Sequence, residues 1–96
     1  MNASQRIKEQ RTEILRLAAL HGAGNVRLFG SVARGTARPD SDIDLLVDPP
    51  PGSGIKELVA LREIFQEILG RPVGLVTYGG LKPGIDDDIR AEAVLL

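Results

Sequence analysis

Two aspartates one residue apart are the side chains of this sequence most suited to holding a metal ion. Asp42 and Asp44 lie in an apolar run of strand character, so they point to one face while Ile43 and Leu45 point to the other. Positions two apart in a strand are about 6.5–7 Å apart at Cα, which lets both carboxylates reach one ion. Magnesium prefers such oxygen ligands and keeps positions for water and phosphate. The alternative is a pair of solvated acids at a strand end.

A Gly-Ser pair precedes these acids where a strand turns into a helix. Unpaired N–H groups at a helix N-terminus favour a phosphate, Gly30 lets a substrate approach the backbone, and the Ser31 hydroxyl can donate to a phosphate oxygen. The alternative is an ordinary helix cap. The sequence contains neither a Walker loop nor a dinucleotide-binding fingerprint, so a phosphate site here follows another scheme.

The spacing of the two motifs favours one site. Eleven residues separate Ser31 from Asp42, which is room for a short helix and a loop that returns the chain beside the first strand. The turn and the acidic strand would then face each other. Arg34 and Arg38 lie between them and could neutralise phosphate charge; surface solvation is an equal alternative for Arg34 and the preferred one for Arg38.

The elements that must position these residues alternate along the chain. Apolar periodicity, helix-stop glycines and β-branched runs predict three strands, at residues 25–29, 42–47 and 73–77. Four helices are predicted: one capped by Asn2 and Gln5 and ended by Gly22, a short one at 32–35 with Ser31 as its N-cap, one at 55–69, and one that starts near Pro83 and buries Ile85, Ile89 and Ala93. The expectation is a single α/β (α+β) domain over residues 1–96, with a small mixed sheet of about three strands.

Composition excludes several classes of protein. The net charge is −1, with 12 basic and 13 acidic residues, so no basic field recruits nucleic acid. No cysteine is present, which excludes a disulfide framework and a thiolate zinc site. His21 precedes a helix-ending glycine and is expected to serve the helix end rather than catalysis. No apolar run reaches the roughly 20 residues of a membrane span, and a cytoplasmic location is expected.

The two motifs together resemble the signature of the minimal nucleotidyltransferases, a branch of the DNA polymerase β-like superfamily. The resemblance lies in Gly30-Ser31-Val32-Ala33-Arg34-Gly35 and in Ser41-Asp42-Ile43-Asp44-Leu45-Leu46-Val47. It extends more loosely through the strand that follows Arg71 and through the closing segment Ile89-Arg90-Ala91-Glu92-Ala93.

This resemblance implies a polymerase β-like fold that binds a nucleoside triphosphate with Mg²⁺ and transfers a nucleoside monophosphate, AMP from ATP, to a hydroxyl. Gly30, Ser31 and Arg34 would hold the nucleotide, while Asp42 and Asp44 would be the catalytic residues and ligate two metal ions. Proteins of this kind are commonly antitoxins that adenylylate a tyrosine on a helical HEPN-type ribonuclease. The implied partners are therefore the triphosphate and a HEPN-type protein, with homo- or hetero-oligomers open and no nucleic acid or membrane contact.

One position departs from the family pattern. The next strand usually carries a third carboxylate, and this chain has Gly74 there. Its loss should harm catalysis more than triphosphate binding, so a catalytically impaired module that binds nucleotide and partner stays as an alternative; a purely structural subunit ranks last. Replacement of the acid by Asp86, Asp87 or Asp88 is the weaker interpretation, because acids in a first helical turn are stabilised by the helix dipole.

Overall fold

A computed structural model of the chain describes residues 2–84 and 86–96. Within these residues, four α-helices flank one four-stranded sheet. In chain order the elements are α1 (Ala3–Leu20), β1 (Gly24–Phe29), α2 (Gly30–Arg34), β2 (Ile43–Asp48), α3 (Ile55–Leu69), β3 (Val73–Thr77), a 3₁₀ helix (Tyr78–Gly80), α4 (Asp87–Glu92) and β4 (Val94–Leu95).

The sheet is mixed, as expected, in the order β3-β2-β1-β4. Strand β1 pairs antiparallel with both β2 and β4, and β2 pairs parallel with β3. The antiparallel register places Phe29 opposite Asp44, and the parallel register places Asp44 beside Gly74. The end of β1, the acidic start of β2 and the first half of β3 therefore meet at one place.

The larger core fills one face of the sheet. Ile43, Leu45 and Val47 of β2 are fully buried there, against Ile14 of α1 and Phe65 of α3. This confirms the alternation predicted for β2, because Asp44 lies on the opposite face. That opposite face holds a smaller apolar cluster of Phe29, Leu46 and Leu81, with Val76, Tyr78, Ile89 and Ala93 packed around it.

The predicted ends of the long helices are confirmed. The Asn2 side chain accepts from the backbone N–H of Gln5 at 2.8 Å, and the Gln5 side chain accepts from the backbone N–H of Asn2 at 3.2 Å. Helix α3 ends at Gly70, whose φ of 69° is the left-handed conformation that suits glycine. The backbone N–H of His21 donates to the last carbonyls of α1, so His21 lies at the helix end and away from the acids.

Two sequence predictions are wrong in detail. Helix α2 begins at Gly30, so Ser31 is its second residue, and no side chain of the cap residue Phe29 bonds the helix. The last helix begins at Asp87, because Pro83 and Gly84 form a turn; Ile85 lies outside the described residues, and Ile89 and Ala93 are only partly buried. Val94 and Leu95 form a short fourth strand that pairs with β1, in addition to the three strands predicted.

The described residues contain no helix with both the length and the apolar character needed to cross a bilayer.

Candidate active site

The Gly30 turn and the Asp44 carboxylate are in direct contact. Gly30 is buried and has a φ of 77°, a backbone conformation that an L side chain rarely adopts. A Cβ atom added at Gly30 would overlap Asp44 Oδ2. Glycine is required at this position on both grounds. The space that Gly30 leaves is filled by the carboxylate, which corrects the expectation that it is open for substrate to approach.

The charge around Asp44 is unbalanced. Burial raises the pKa of the Asp44 carboxyl above its ordinary value, and the Asp42 carboxylate raises it further; Arg34 opposes this effect, and Glu92 adds to it. Asp44 is half-buried, while Asp42 is exposed one residue before β2 begins. Two like charges near a partly buried position favour either protonation or a bound cation.

The position of the missing third acid lies directly beside Asp44. A Cβ atom added at Gly74 would stand 2.8 Å from Asp44 Oδ1. An aspartate there would place its carboxyl group next to that of Asp44. With glycine instead, no group of three or more His, Cys, Asp or Glu side chains within residues 2–84 and 86–96 is placed to hold a metal ion.

The donor set at this place nevertheless fits a hard divalent cation. Asp42 and Asp44 supply carboxylate oxygens, the ligand type of Mg²⁺, which is often bound through one or two carboxylates plus substrate phosphates. Burial and the neighbouring Asp42 carboxylate raise the pKa of the Asp44 carboxyl, and Arg34 offsets this only in part. The chain alone would hold such an ion through two side chains.

Glu92 is a residue of this site that the sequence did not indicate. Its carboxylate accepts from the backbone N–H of Gly30 at 2.9 Å and from Arg34 Nη1 at 3.0 and 3.1 Å. These two donors lower the pKa of the Glu92 carboxyl below its ordinary value, the Gly30 amide having the larger effect. Glu92 is 62 residues from Gly30 along the chain. A signal was present only in the loose resemblance of the closing helix, which assigned Glu92 no role.

The structure brings most of the predicted residues together. Gly30, Ser31 and Arg34 all belong to the short helix α2, whose first residue contacts Asp44. Ser31 is half-buried at the second position of this helix. Asp42 lies one residue before β2, whose second residue is Asp44, and it is close enough to influence the pKa of Asp44.

Other charged residues considered from the sequence lie elsewhere. Arg38 lines a cavity of about 360 Å³ together with Arg71, and neither the Gly30 turn nor the two aspartates contribute to its walls. Asp86 accepts from the backbone N–H of Lys82 at 2.7 Å, and Asp87 accepts from that of Gly84 at 3.1 Å. These acids stabilise the turn and the first turn of α4.

Comparison with known proteins assigns the family. The chain matches the family described as "Nucleotidyltransferase domain" over residues 7–96. A Methanocaldococcus jannaschii protein named "Putative protein adenylyltransferase MJ0435" is 36% identical over 88 residues, which are 92% of this chain and 95% of the relative. The "Protein adenylyltransferase MntA" of Thermococcus cleftensis is 37% identical over 73 residues, 76% of this chain and 74% of the relative.

Solved structures share the fold. One described as "Structure of putative minimal nucleotidyltransferase" superposes with a TM-score of 0.87 at 40% identity, covering 100% of this chain and 97% of that one. A toxin–antitoxin structure with AMP-PNP has a TM-score of 0.75 at 21% identity, covers 88% of this chain and 69% of that one, and supports the fold alone. From the match over residues 7–96, together with these relatives, the chain belongs to the nucleotidyltransferase domain family, as a minimal nucleotidyltransferase.

Proposed function

We propose that this protein transfers AMP from ATP to a hydroxyl group of a partner protein, in a reaction that depends on Mg²⁺. The partner is a helical HEPN-type toxin, the acceptor is a tyrosine hydroxyl, and the modification makes this chain an antitoxin. Gly30, Ser31 and Arg34 hold the triphosphate, and Asp42 and Asp44 are the catalytic residues and the metal ligands.

The observation that carries this proposal is the contact between Asp44 and the Gly30 turn. A Cβ atom at Gly30 would overlap the Asp44 carboxylate, so the phosphate-binding turn and the acidic strand are parts of one surface. Arg34, at the end of the same short helix, supplies positive charge and is about half exposed, with 52% of its side chain accessible. A metal-bound triphosphate requires carboxylate ligands for the metal ion, together with a turn and a positively charged side chain for the phosphates, at one place.

Each group has a separate task in the reaction. The acceptor hydroxyl oxygen bonds to the α-phosphorus of ATP, the bond to the bridging oxygen breaks, and pyrophosphate leaves. Ser31 and Arg34 bind the departing phosphates, and Asp42 and Asp44 supply the carboxylates that would hold Mg²⁺. Mg²⁺ bound by these two aspartates would stabilise the negative charge that develops on the phosphate oxygens. The proton of the hydroxyl must pass to a base, and Gly74 stands where the family pattern has a carboxylate that can accept it.

The partner class is supported by relatives rather than by a contact in this chain. The Thermococcus cleftensis relative is named a protein adenylyltransferase, which makes a protein the acceptor in that case. Structures of similar fold, at 16% and 22% identity, are described as the toxin–antitoxin MntA–HpeT. The acidic balance of this chain, −1 overall, also argues for a protein acceptor over a nucleic acid.

Transfer of a labelled α-phosphate tests the proposal. The protein is incubated with α-labelled ATP, Mg²⁺ and a helical HEPN-type protein as the candidate partner, and the modified residue is mapped by mass spectrometry. We expect AMP on a tyrosine of the partner, and at least a roughly thousandfold loss of rate with Asp44→Asn, or about 4 kcal/mol of transition-state stabilisation. Absence of label at every enzyme concentration would contradict the proposal.

A second candidate function is favoured by Gly74, namely a module that binds nucleotide and partner without efficient transfer. Gly74→Asp restores a carboxyl group beside Asp44, and Gly74→Asn is the matched control because it adds the same volume without the charge. If the chain is a binding module, Gly74→Asp should raise the transfer rate more than tenfold while the ATP dissociation constant stays within about twofold. A wild type that already transfers well, with only a small gain from Gly74→Asp, would exclude this second function.

A further inference from the structure

The carboxylate of Glu92 is bound to two of the groups that the proposed function assigns to the nucleotide site. One oxygen accepts from the Gly30 amide at 2.9 Å, and both oxygens accept from Arg34 Nη1 at 3.0 and 3.1 Å. The Glu92 side chain is 24% exposed, and that of Arg34 is 52% exposed. Glu92 therefore links the first amide of helix α2 to the last residue of the same helix.

The elements that precede and follow Glu92 in the chain both hold it at this position. It is the last residue of α4, and Ile89 of this helix and the following Ala93 pack against the smaller apolar cluster. Two residues later the chain enters β4, where Val94 pairs with Leu28 and Leu95 pairs with Arg27. Because β1 runs directly into Gly30, the pairing of β4 with β1 holds Glu92 beside the turn.

The hydrogen-bond inventory of Arg34 decides what this contact does. A guanidinium group carries five N–H donors in a rigid planar fork. Glu92 uses Nη1 alone, so the Nε and Nη2 edge of the fork is not engaged by it. Glu92 therefore anchors the Nη1 group of the guanidinium, and the donors on the Nε and Nη2 edge remain for a ligand. The charged hydrogen bonds to Glu92 already restrict the rotamers of Arg34. Arg34 therefore loses less side-chain entropy on binding phosphate than an unrestrained exposed arginine would.

We propose that Glu92 is a positioning residue for the nucleotide: it anchors the start of helix α2 through the Gly30 amide and orients Arg34, whose remaining donors then receive the triphosphate. This inference rests on the proposed function, because it requires the triphosphate to bind at the Gly30 turn. It assigns the C-terminal segment of the chain to the active site. The opposite possibility is that Glu92 competes with phosphate for the same donors, and the two differ in the sign of their effect on ATP affinity.

The variant that separates them is Glu92→Gln, which keeps an acceptor oxygen and removes the charge. The matched control is Glu13→Gln, because Glu13 and Arg16 form an ion pair on the exposed side of α1. We measure the ATP dissociation constant by calorimetry with Mg²⁺ present, KM and kcat for transfer, and the melting temperature. We expect Glu92→Gln to raise the dissociation constant and KM for ATP roughly tenfold, about 1.4 kcal/mol, with a smaller change in kcat. Glu13→Gln should leave the dissociation constant, KM and kcat within twofold of wild type and the melting temperature close to that of wild type.

A second variant tests whether Glu92 acts through Arg34. Arg34→Lys retains the positive charge and loses the planar fork. In the Arg34→Lys background, Glu92→Gln should weaken ATP binding by less than about threefold, because the group it positions is already gone. Equal effects in both backgrounds would show that Glu92 acts independently of Arg34 and would overturn the inference.

The remaining outcomes are also decisive. Tighter ATP binding by Glu92→Gln would mean that the carboxylate competes with phosphate, and unchanged binding would mean that it only joins α4 to α2; either result overturns the inference and leaves the proposed function standing. A wild-type protein that binds no ATP overturns the proposed function and this inference together. A lower melting temperature with unchanged ATP affinity would identify Glu92 as structural only.

Discussion

Leu45 and Leu46 are neighbours in β2, and both side chains are fully buried, yet they lie on opposite faces of the sheet. Leu45 belongs to the larger core, which helices of 18 and 15 residues cover. Leu46 belongs to a smaller cluster, covered by the 3₁₀ helix, Leu81 and a helix of six residues. One face is therefore a continuous apolar layer. The other has a thin apolar cover that adjoins Asp44 and Gly74.

One face of the sheet carries the larger core that stabilises the fold, and the other carries the acidic residue of the candidate site. Strand alternation places Ile43, Leu45 and Val47 in the larger core and leaves Asp44 on the thinly covered face. A carboxylate is tolerated on that face because its cover is partial, whereas an ionised group in the larger core would need a partner. The larger core thus holds β2 in place, and β2 in turn determines the position of the acidic side chains.

The largest effect that tests this comparison comes from truncating the two leucines. Leu45→Ala should reduce the free energy of unfolding by about 3–5 kcal/mol, because the two long helices cannot close around the cavity. Leu46→Ala should cost about 2–3 kcal/mol, because the short elements covering it can collapse partly into the space. Denaturant unfolding measures both values.

The pair is its own control, since residue type, strand and burial are the same. Leu46→Ala should also weaken ATP binding more than Leu45→Ala, because Leu46 supports the segment that carries Glu92. Equal losses of stability and of ATP affinity in the two variants would remove the distinction between the faces.

The same difference explains what the sequence could predict. Helix α3 has the predicted limits Ile55–Leu69, and β3 has the predicted limits Val73–Thr77, because apolar periodicity and the adjacent Gly70 are local signals. Strand β4 was missed because it has two residues and exists only through its pairing with β1. The smaller cluster follows from that pairing, so it could not be predicted either.

The candidate site follows the same division. Gly30, Asp42 and Asp44 were found through motif spacing, since the chain must return β2 beside β1 within eleven residues. The prediction of Ser31 as N-cap was wrong because the helix already begins at Gly30, with Phe29 as its cap residue. The amide of Gly30 is bound by Glu92. A carboxylate 62 residues away has no local signature. The assignment of Gly30, Ser31, Arg34, Asp42 and Asp44 to nucleotide and metal remains a prediction.

A smaller effect concerns the pH dependence of stability on the thinly covered face. Burial, together with Asp42, raises the pKa of the Asp44 carboxyl above 3.8, so the folded state favours its protonated form. The folded chain therefore binds more protons than the unfolded one over this interval, and stability falls as pH rises through the raised pKa. Ionised Asp44 therefore destabilises the fold at neutral pH. The pKa of the Glu92 carboxyl is lowered, so the stability that Glu92 contributes begins to be lost as pH falls below 4.5.

Asp44→Asn should therefore be more stable than the wild type at neutral pH, and the difference should grow from about pH 3.8 upward until Asp44 is fully ionised. Because Asp44 is partly exposed, solvent screening reduces the size of this gain. Melting temperatures across this pH range measure it, with Asp40→Asn on the exposed loop as the control for net charge. Addition of Mg²⁺ should narrow the difference by stabilising the wild type alone, since a cation between Asp42 and Asp44 removes the repulsion that Asn removes by substitution. A stability difference that shrinks with rising pH, or that does not change when Mg²⁺ is added, would contradict this prediction. Asp44 would then be an ordinary structural carboxylate rather than an ion-binding group on the thinly covered face of the sheet.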